Sequence, residues 1–181
     1  MILGNNLSDN KWHQVKVDRN QRTVVLTVDK IKSQTTTPGT FISLDLDTFL
    51  YVGGLQSSVS GDYWAIDAPN FIGCMKDLYF DLKDILYGAK DHLSDYATHG
   101  SVLFYGPNTE YVPVNFPTPD THMKLSKRSP KNFTVALNFR TYYGNGVLVY
   151  KQSRNARVYL ALSTGSQIGR ASCRERVYVL V

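Results

Sequence analysis

The sequence predicts an all-β protein, an antiparallel sandwich, and three observations carry that prediction. Residue types that suit a pleated, half-buried surface are abundant, with 12 Tyr and 8 Phe among 181 residues and many Val and Thr around them. Short alternating apolar segments follow one another, separated by Gly, Pro, Asn and Asp. No long stretch carries a helical period. Apolar residues make up 43% and charged residues 19%, which excludes a disordered chain. No apolar run approaches the roughly 18 residues that a membrane-spanning helix needs. The opening Met1-Ile2-Leu3-Gly4-Asn5 has neither the basic region nor the apolar core of a signal peptide.

In chain order, residues 12–17 place His13, Val15 and Val17 on one face of a strand, and residues 24–29 do the same with Val24, Leu26 and Val28. A polar stretch over 30–40 contains the turn signal Pro38-Gly39. The short run 49–52 stops at Gly53-Gly54, and a loop of about sixteen residues follows, long enough to expect a functional surface. Strand character resumes over 71–80, and a short helix is expected around Leu82 to Tyr87. Pro107, Pro113, Pro117 and Pro119 then mark a junction, with a boundary near Gly106. Beyond it, Phe133, Val135, Leu137 and Phe139 alternate with Thr134, Ala136, Asn138 and Arg140, and Gly144-Asn145-Gly146 suggests a hairpin into Val147 to Lys151. One more strand is expected over 158–163.

The formal charge of +5 would raise nucleic acid as a partner, but its origin weakens that reading. Ile168 to Val177 resembles a translated sequencing-library adapter, and with it goes Cys173. Without that stretch the charge is about +3, unremarkable for a domain of this size, and no nucleic-acid partner is expected. Residues 168–181 are therefore expected to add nothing to the fold.

Three stretches carry a family resemblance. Asp9-Asn10-Lys11-Trp12-His13-Gln14-Val15 resembles a D-x-x-W-H-x-V strand opening. Phe49-Leu50-Tyr51-Val52-Gly53-Gly54 followed by Phe71-Ile72-Gly73-Cys74-Met75 resembles a Y-x-G-G and F-x-G-C pair. Val112-Pro113-Val114-Asn115-Phe116, with Phe139-Arg140-Thr141 and Asn145-Gly146-Val147-Leu148, resembles the first strands of a second domain. In this order they resemble tandem laminin-G domains of the contactin-associated protein and neurexin-type adhesion family. The resemblance implies a jelly-roll sandwich of the laminin-G, concanavalin-like kind, incomplete or pseudo-permuted. Residues 1–105 would be the C-terminal half of one domain, 106–120 a Pro-rich junction, and 107–167 the N-terminal half of the next. The face of Phe133, Val135, Leu137 and Phe139 would then cover that of Val15, Val17 and Leu26, joining both halves in one body.

The same resemblance implies sites. In calcium-binding relatives an aspartate before the W-H strand and carbonyls from later segments hold the ion; by motif position these are Asp9, the carbonyl of Leu26, the carbonyl of Ser43, and Asp45, with Asp47 nearby. Otherwise Asp9 starts a turn and Asp45 and Asp47 are solvated. The family cysteine of F-x-G-C pairs near the domain's end, but Tyr105-Gly106 stands there, so Cys74 lacks a disulfide partner through a sequence error or is a buried free thiol. Asn6-Leu7-Ser8 and Asn132-Phe133-Thr134 are N-glycosylation sequons. Lys124, Lys127, Arg128 and Lys131 form a basic cluster in an expected hairpin loop, suited to glycan such as heparan sulfate or simply solvated.

His13, His92, His99 and His122 show no metal spacing or nucleophile motif, and no G-x-S-x-G elbow occurs. His13 is expected to pack or to satisfy hydrogen bonds. The implied function is extracellular recognition of protein or glycan partners through rim loops, without catalysis, on the outer face of the plasma membrane as part of a membrane-anchored parent. The rival is a glycan-processing enzyme, with Asp77 and Asp81 as the paired carboxylates across a cleft.

Overall fold

A computed structural model describes residues 1–40, 42–43, 46, 49–56, 69–91, 93–105, 113–126, 132–152, 157–164 and 175–180. The N-terminal elements are β1 (Ile2–Leu3), β2 (His13–Asn20), β3 (Thr23–Val28), β4 (Ile31–Thr36), β5 (Phe49–Val52), β6 (Gly73–Phe80), β7 (Lys83–Asp84) and α1 (Ile85–Lys90). After them come β8 (Tyr96–His99), β9 (Leu103–Phe104), β10 (Val114–Phe116), β11 (His122–Ser126), β12 (Phe133–Arg140), β13 (Gly146–Gln152), β14 (Arg157–Thr164) and β15 (Glu175–Leu180). They form two antiparallel sheets. One runs β1-β15-β14-β13-β5-β11-β8, and the other β4-β3-β2-β12-β6-β10-β9, with β7 beside β6. This is the predicted sandwich, all-β and of laminin-G jelly-roll type.

Alternation explains the inner faces. β2 buries His13, Val15, Val17 and Arg19, β3 buries Val24, Leu26 and Val28, and β12 buries Phe133, Val135, Leu137 and Phe139. Leu50, Val52, Met123, Leu125, Leu148, Leu160 and Leu162 of the other sheet join them in one core cluster. β6 breaks strict alternation. Met75, Leu78 and Phe80 are the buried positions, because Asp77, at φ 52°, forms a bulge opposite β12 between Ala136 and Asn138. The Asp77 carboxylate accepts from Asn138 Nδ2 at 2.6 Å and ties the bulge to its partner strand.

The contact expected between residues 133–139 and the first strands is present, in a different form. β12 does not cover β2; it lies beside it in the same sheet, Val135 opposite Val17 and Leu137 opposite Val15, with β6 on its other edge. A strand paired on both edges has no edge left for a hairpin partner. The hairpin expected between β12 and β13 is accordingly not formed, and residues 141–145 carry the chain into the other sheet, where β13 pairs with β14 and β5. For the same reason the loop expected to hold the basic cluster is no hairpin: it links β11 in one sheet to β12 in the other.

The short helix begins three residues later than expected, capped by Asp84, whose Oδ1 accepts from Tyr87 N at 3.0 Å. The polar stretch 30–40 contains an edge strand, β4, exposed along almost its whole length. Part of 168–181 also enters the fold, which corrects the expectation that it adds nothing. Glu175–Leu180 pairs with Tyr159–Thr164 and with Ile2–Leu3. The physical reason is local: Val-Tyr-Val-Leu has high β propensity and β14 offers an edge to pair with. The boundary placed near Gly106 and most of the loop after Gly54 lie outside the described residues.

Candidate functional site

The D-x-x-W-H segment becomes a tight corner at the start of β2. Asp9 Oδ1 accepts from the backbone of Lys11 at 2.8 Å, Asn10 turns the chain at φ 62°, and Asn10 N donates to the carbonyl of Thr141 at 3.0 Å, so the corner is fastened to the end of β12. His13 points inward from it, 9% exposed, against Phe139. Both its nitrogens meet carboxylates: Nε2 lies 3.0 Å from Asp9 Oδ1 and Nδ1 3.0 Å from Asp29 Oδ2. Asp29, at φ 52° just past β3, is itself held by Gln14 N at 3.0 Å. The expectation of a hydrogen-bonded histidine at this position is met.

Electrostatics follow from those contacts. Burial disfavours charge on His13, but the hydrogen bonds and charges of Asp29 and then Asp9 outweigh it, so the imidazole pKa is raised above its ordinary 6.5. Lys11, through its side chain and backbone, and then His13 hold the Asp9 carboxyl well below the usual carboxylate range. His122 shifts the other way. It is 4% exposed and stacks on His99, its cross-strand neighbour, with centroids 4.5 Å apart. Burial first, and the charges of His99 and Lys124, lower its pKa, against a smaller opposing effect of the Asp120 backbone. A proton NMR titration should therefore show the His13 ring titrating above 6.5 and the His122 ring below it. With the signs worked out, His13 stabilises the fold fully below about pH 6.5 and the contribution is lost as pH rises through its raised pKa. His122 stabilises above about 6.5, and that contribution is lost as pH falls through its lowered pKa. Asp29→Asn should bring the His13 titration down; an unmoved titration would contradict the bridge.

Two described members of the calcium set, Asp9 and Leu26, lie apart. Asp9 is committed to Lys11 and His13. Leu26 lies opposite Val17, four residues up β2 from His13 and about 13 Å along the strand, inside a ladder paired on both sides. Ser43 is exposed, and Asp45 and Asp47 lie outside the described residues. No group of three or more His, Cys, Asp or Glu suited to a metal occurs among the described residues. The described members of the set do not fit a calcium centre.

Cys74 is a free, half-buried thiol, 3.8 Å from Asn115 Oδ1 and from Arg140 Nη2. β10 lies between it and β9: Cys74 faces Asn115, and Asn115 faces Leu103. A residue near 105 is thus two strands away, about 10 Å, beyond the reach of about 7 Å that a disulfide allows. Adding a reductant should leave the melting temperature unchanged; a fall of several degrees would reveal a disulfide.

Of the basic cluster, Lys124 is in strand β11, half-buried, its Nζ 3.9 Å from the ring centre of Phe49 and 5.8 Å from that of Tyr51, so it is packed and not a loop cation. Lys127, Arg128 and Lys131 lie outside the described residues. The sequon residues Asn6 and Asn132 are both exposed, and Asn132 Oδ1 accepts from Gln21 N at 2.9 Å. Asp81 Oδ1 accepts from Thr134 N at 2.9 Å and Asp77 is held by Asn138, so these carboxylates fasten β6 to β12 instead of facing a cleft. Reading the sequence missed Asp29 as a partner of His13, and the His99–His122 pair, because such neighbours are set by strand register and not by spacing.

Comparison with known proteins agrees with this architecture. Residues 1–83 match the family model of the laminin G domain. Over 155 residues, 83% of this chain, the sequence is 30% identical to Neurexin-4 of Drosophila melanogaster, of which the chain spans 12%. No solved structure matches it significantly.

Proposed function

The chain belongs to the laminin G domain family, of neurexin type, and from that premise we propose that it is a recognition module of a cell-surface adhesion protein. It would bind protein or glycan partners through side chains at the ends of the sandwich, on the extracellular face of the plasma membrane, as part of a membrane-anchored parent. One observation carries this most: a match to Neurexin-4 covering 83% of the chain has to run through both the 1–105 and the 107–167 stretches. A rigid sandwich with loops at its ends suits recognition, since the frame holds the loops while their side chains stay accessible. The exposed sequons at Asn6 and Asn132 support an extracellular setting.

Heparan sulfate is a candidate partner through Lys127, Arg128 and Lys131. Calcium, should it bind, would do so by ligands other than the described part of the predicted set. The glycan-processing alternative loses support because Asp77 and Asp81 are spent on β12. The test is binding of the purified, tetramerised chain to intact cells before and after protease or glycosidase treatment. Saturable binding lost on one of these treatments is expected, and absence of binding to any cell-surface preparation would overturn the reading.

A further inference from the structure

The stacked pair His99–His122 fastens the last strand of the first sheet. β8 is four residues long and closes that end of the sheet against β11, with His99 opposite His122, Ala97 opposite Lys124 and Tyr96 opposite Leu125. Met123 and Leu125 of β11 enter the core, so His122 and Lys124 lie on the other face of the strand. His122 is nonetheless 4% exposed. Neither of its ring nitrogens has a hydrogen-bond partner among the described residues, and the Asp120 backbone exerts only a lesser pull on the ring. Towards the other end of β8 the Tyr96 hydroxyl is buried in the same unpaired state.

The groups around the pair offer no compensating charge. Among the described residues no carboxylate forms an ion pair with either histidine, and Lys124 adds a further cation on the same strand. From β5 the nearest rings, Phe49 and Tyr51, sit with the Lys124 ammonium. Gly100, at φ 69°, packs the end of β8 onto Asp120 and Thr121, where a Cβ would meet Thr121 Cγ2 at 2.9 Å. α1 reaches β8 at Tyr96, through Gly88; its Tyr87 is engaged with Asp91, and Lys83 lies over the Tyr96 ring. The stack itself suits neutral rings. Its planes are 10° apart with centroids at 4.5 Å, and planes so nearly parallel cannot both pass through one metal ion at the bonding distance of about 2 Å. Protonation would place two positive charges at that separation and leave buried N–H donors without acceptors. Departure of β8 gives both rings water.

We infer that the His99–His122 stack is a proton-operated latch: neutral, it holds β8 on the sheet, and protonated, it releases β8 while the rest of the sandwich stays folded. A domain carried from a neutral medium into one of pH 5–6 would meet the switch on the way. The latch does not depend on which partner the domain recognises. The sign follows from burial of His122, which lowers its pKa: the closed form is favoured above about pH 6.5, and each pH unit below that, down to the lowered pKa, raises the opening constant by up to about tenfold. The test is amide hydrogen exchange of the full chain by NMR at pH 7.5 and 5.5, corrected for intrinsic rates. The opening constant of β8 amides should rise by a factor approaching about ten, with Val135 of β12 far better protected at both values. His122→Phe keeps a flat ring in the buried place and should abolish the pH dependence. His99→Phe, at the half-buried partner, removes the like charge and should shrink it. Equal β8 opening at both pH values, a pH step undiminished in both variants, or β8 opening only together with β12 would each overturn the proposal.

Discussion

Leu137→Asp is expected to abolish folding of the whole chain, including strands far away in sequence. Leu137 is 1% exposed, opposite Val15 and within the common core. Truncation to alanine alone should cost about 3 kcal/mol, a large part of the roughly 5–15 kcal/mol a domain possesses. A buried carboxylate adds a desolvation cost. Because β12 supplies the neighbour on one edge of both β2 and β6, its loss leaves each without that ladder. Circular dichroism and amide spectra of residues 13–28 provide the check: a dispersed native spectrum for these residues in the variant would show that the first strands fold independently of β12.

Gly73→Ala should cost about 3 kcal/mol or more, far beyond the usual effect of adding one methyl. Gly73 has φ 148°, which L side chains rarely adopt, and a Cβ there would collide with the backbone oxygen of Arg140. Backbone cannot give way as a flexible side chain could, since Arg140 is paired with Cys74 in the ladder. The glycine of the F-x-G-C motif is thus required by the approach of β12 to β6. Urea unfolding would measure the loss; a midpoint within error of the parent would mean the two strands are further apart than described.

These two positions also show what could be read in advance. β2, β3 and β12 were legible because each has one buried and one outward face, and alternation reports that directly. β4 was not, since an edge strand exposed on both faces has no apolar period. β13 is buried at nearly every position, so its pattern could not say which sheet it joins, and the Gly144-Asn145-Gly146 turn signal pointed to the wrong neighbour. The bulge at Asp77 needs a positive φ that no sequence pattern announces. At the corner, Asp9 and His13 are close in sequence and their link could be anticipated. Asp29, Arg140 and Tyr142 join them only through the order of strands in the sheet. The calcium set came from motif position alone, and register separates two of its members.

Segments from both sides of the Pro-rich junction share one sheet and one core. Native-state hydrogen exchange tests it most directly, comparing amides of β2 and β6 with those of β12 under increasing denaturant. The amides of Val17 and Val135, opposite one another in the ladder, are expected to converge on a single opening free energy and to respond alike to denaturant. Two distinct opening energies, with β12 exchanging while β2 and β6 stay protected, would contradict it and leave two separate bodies.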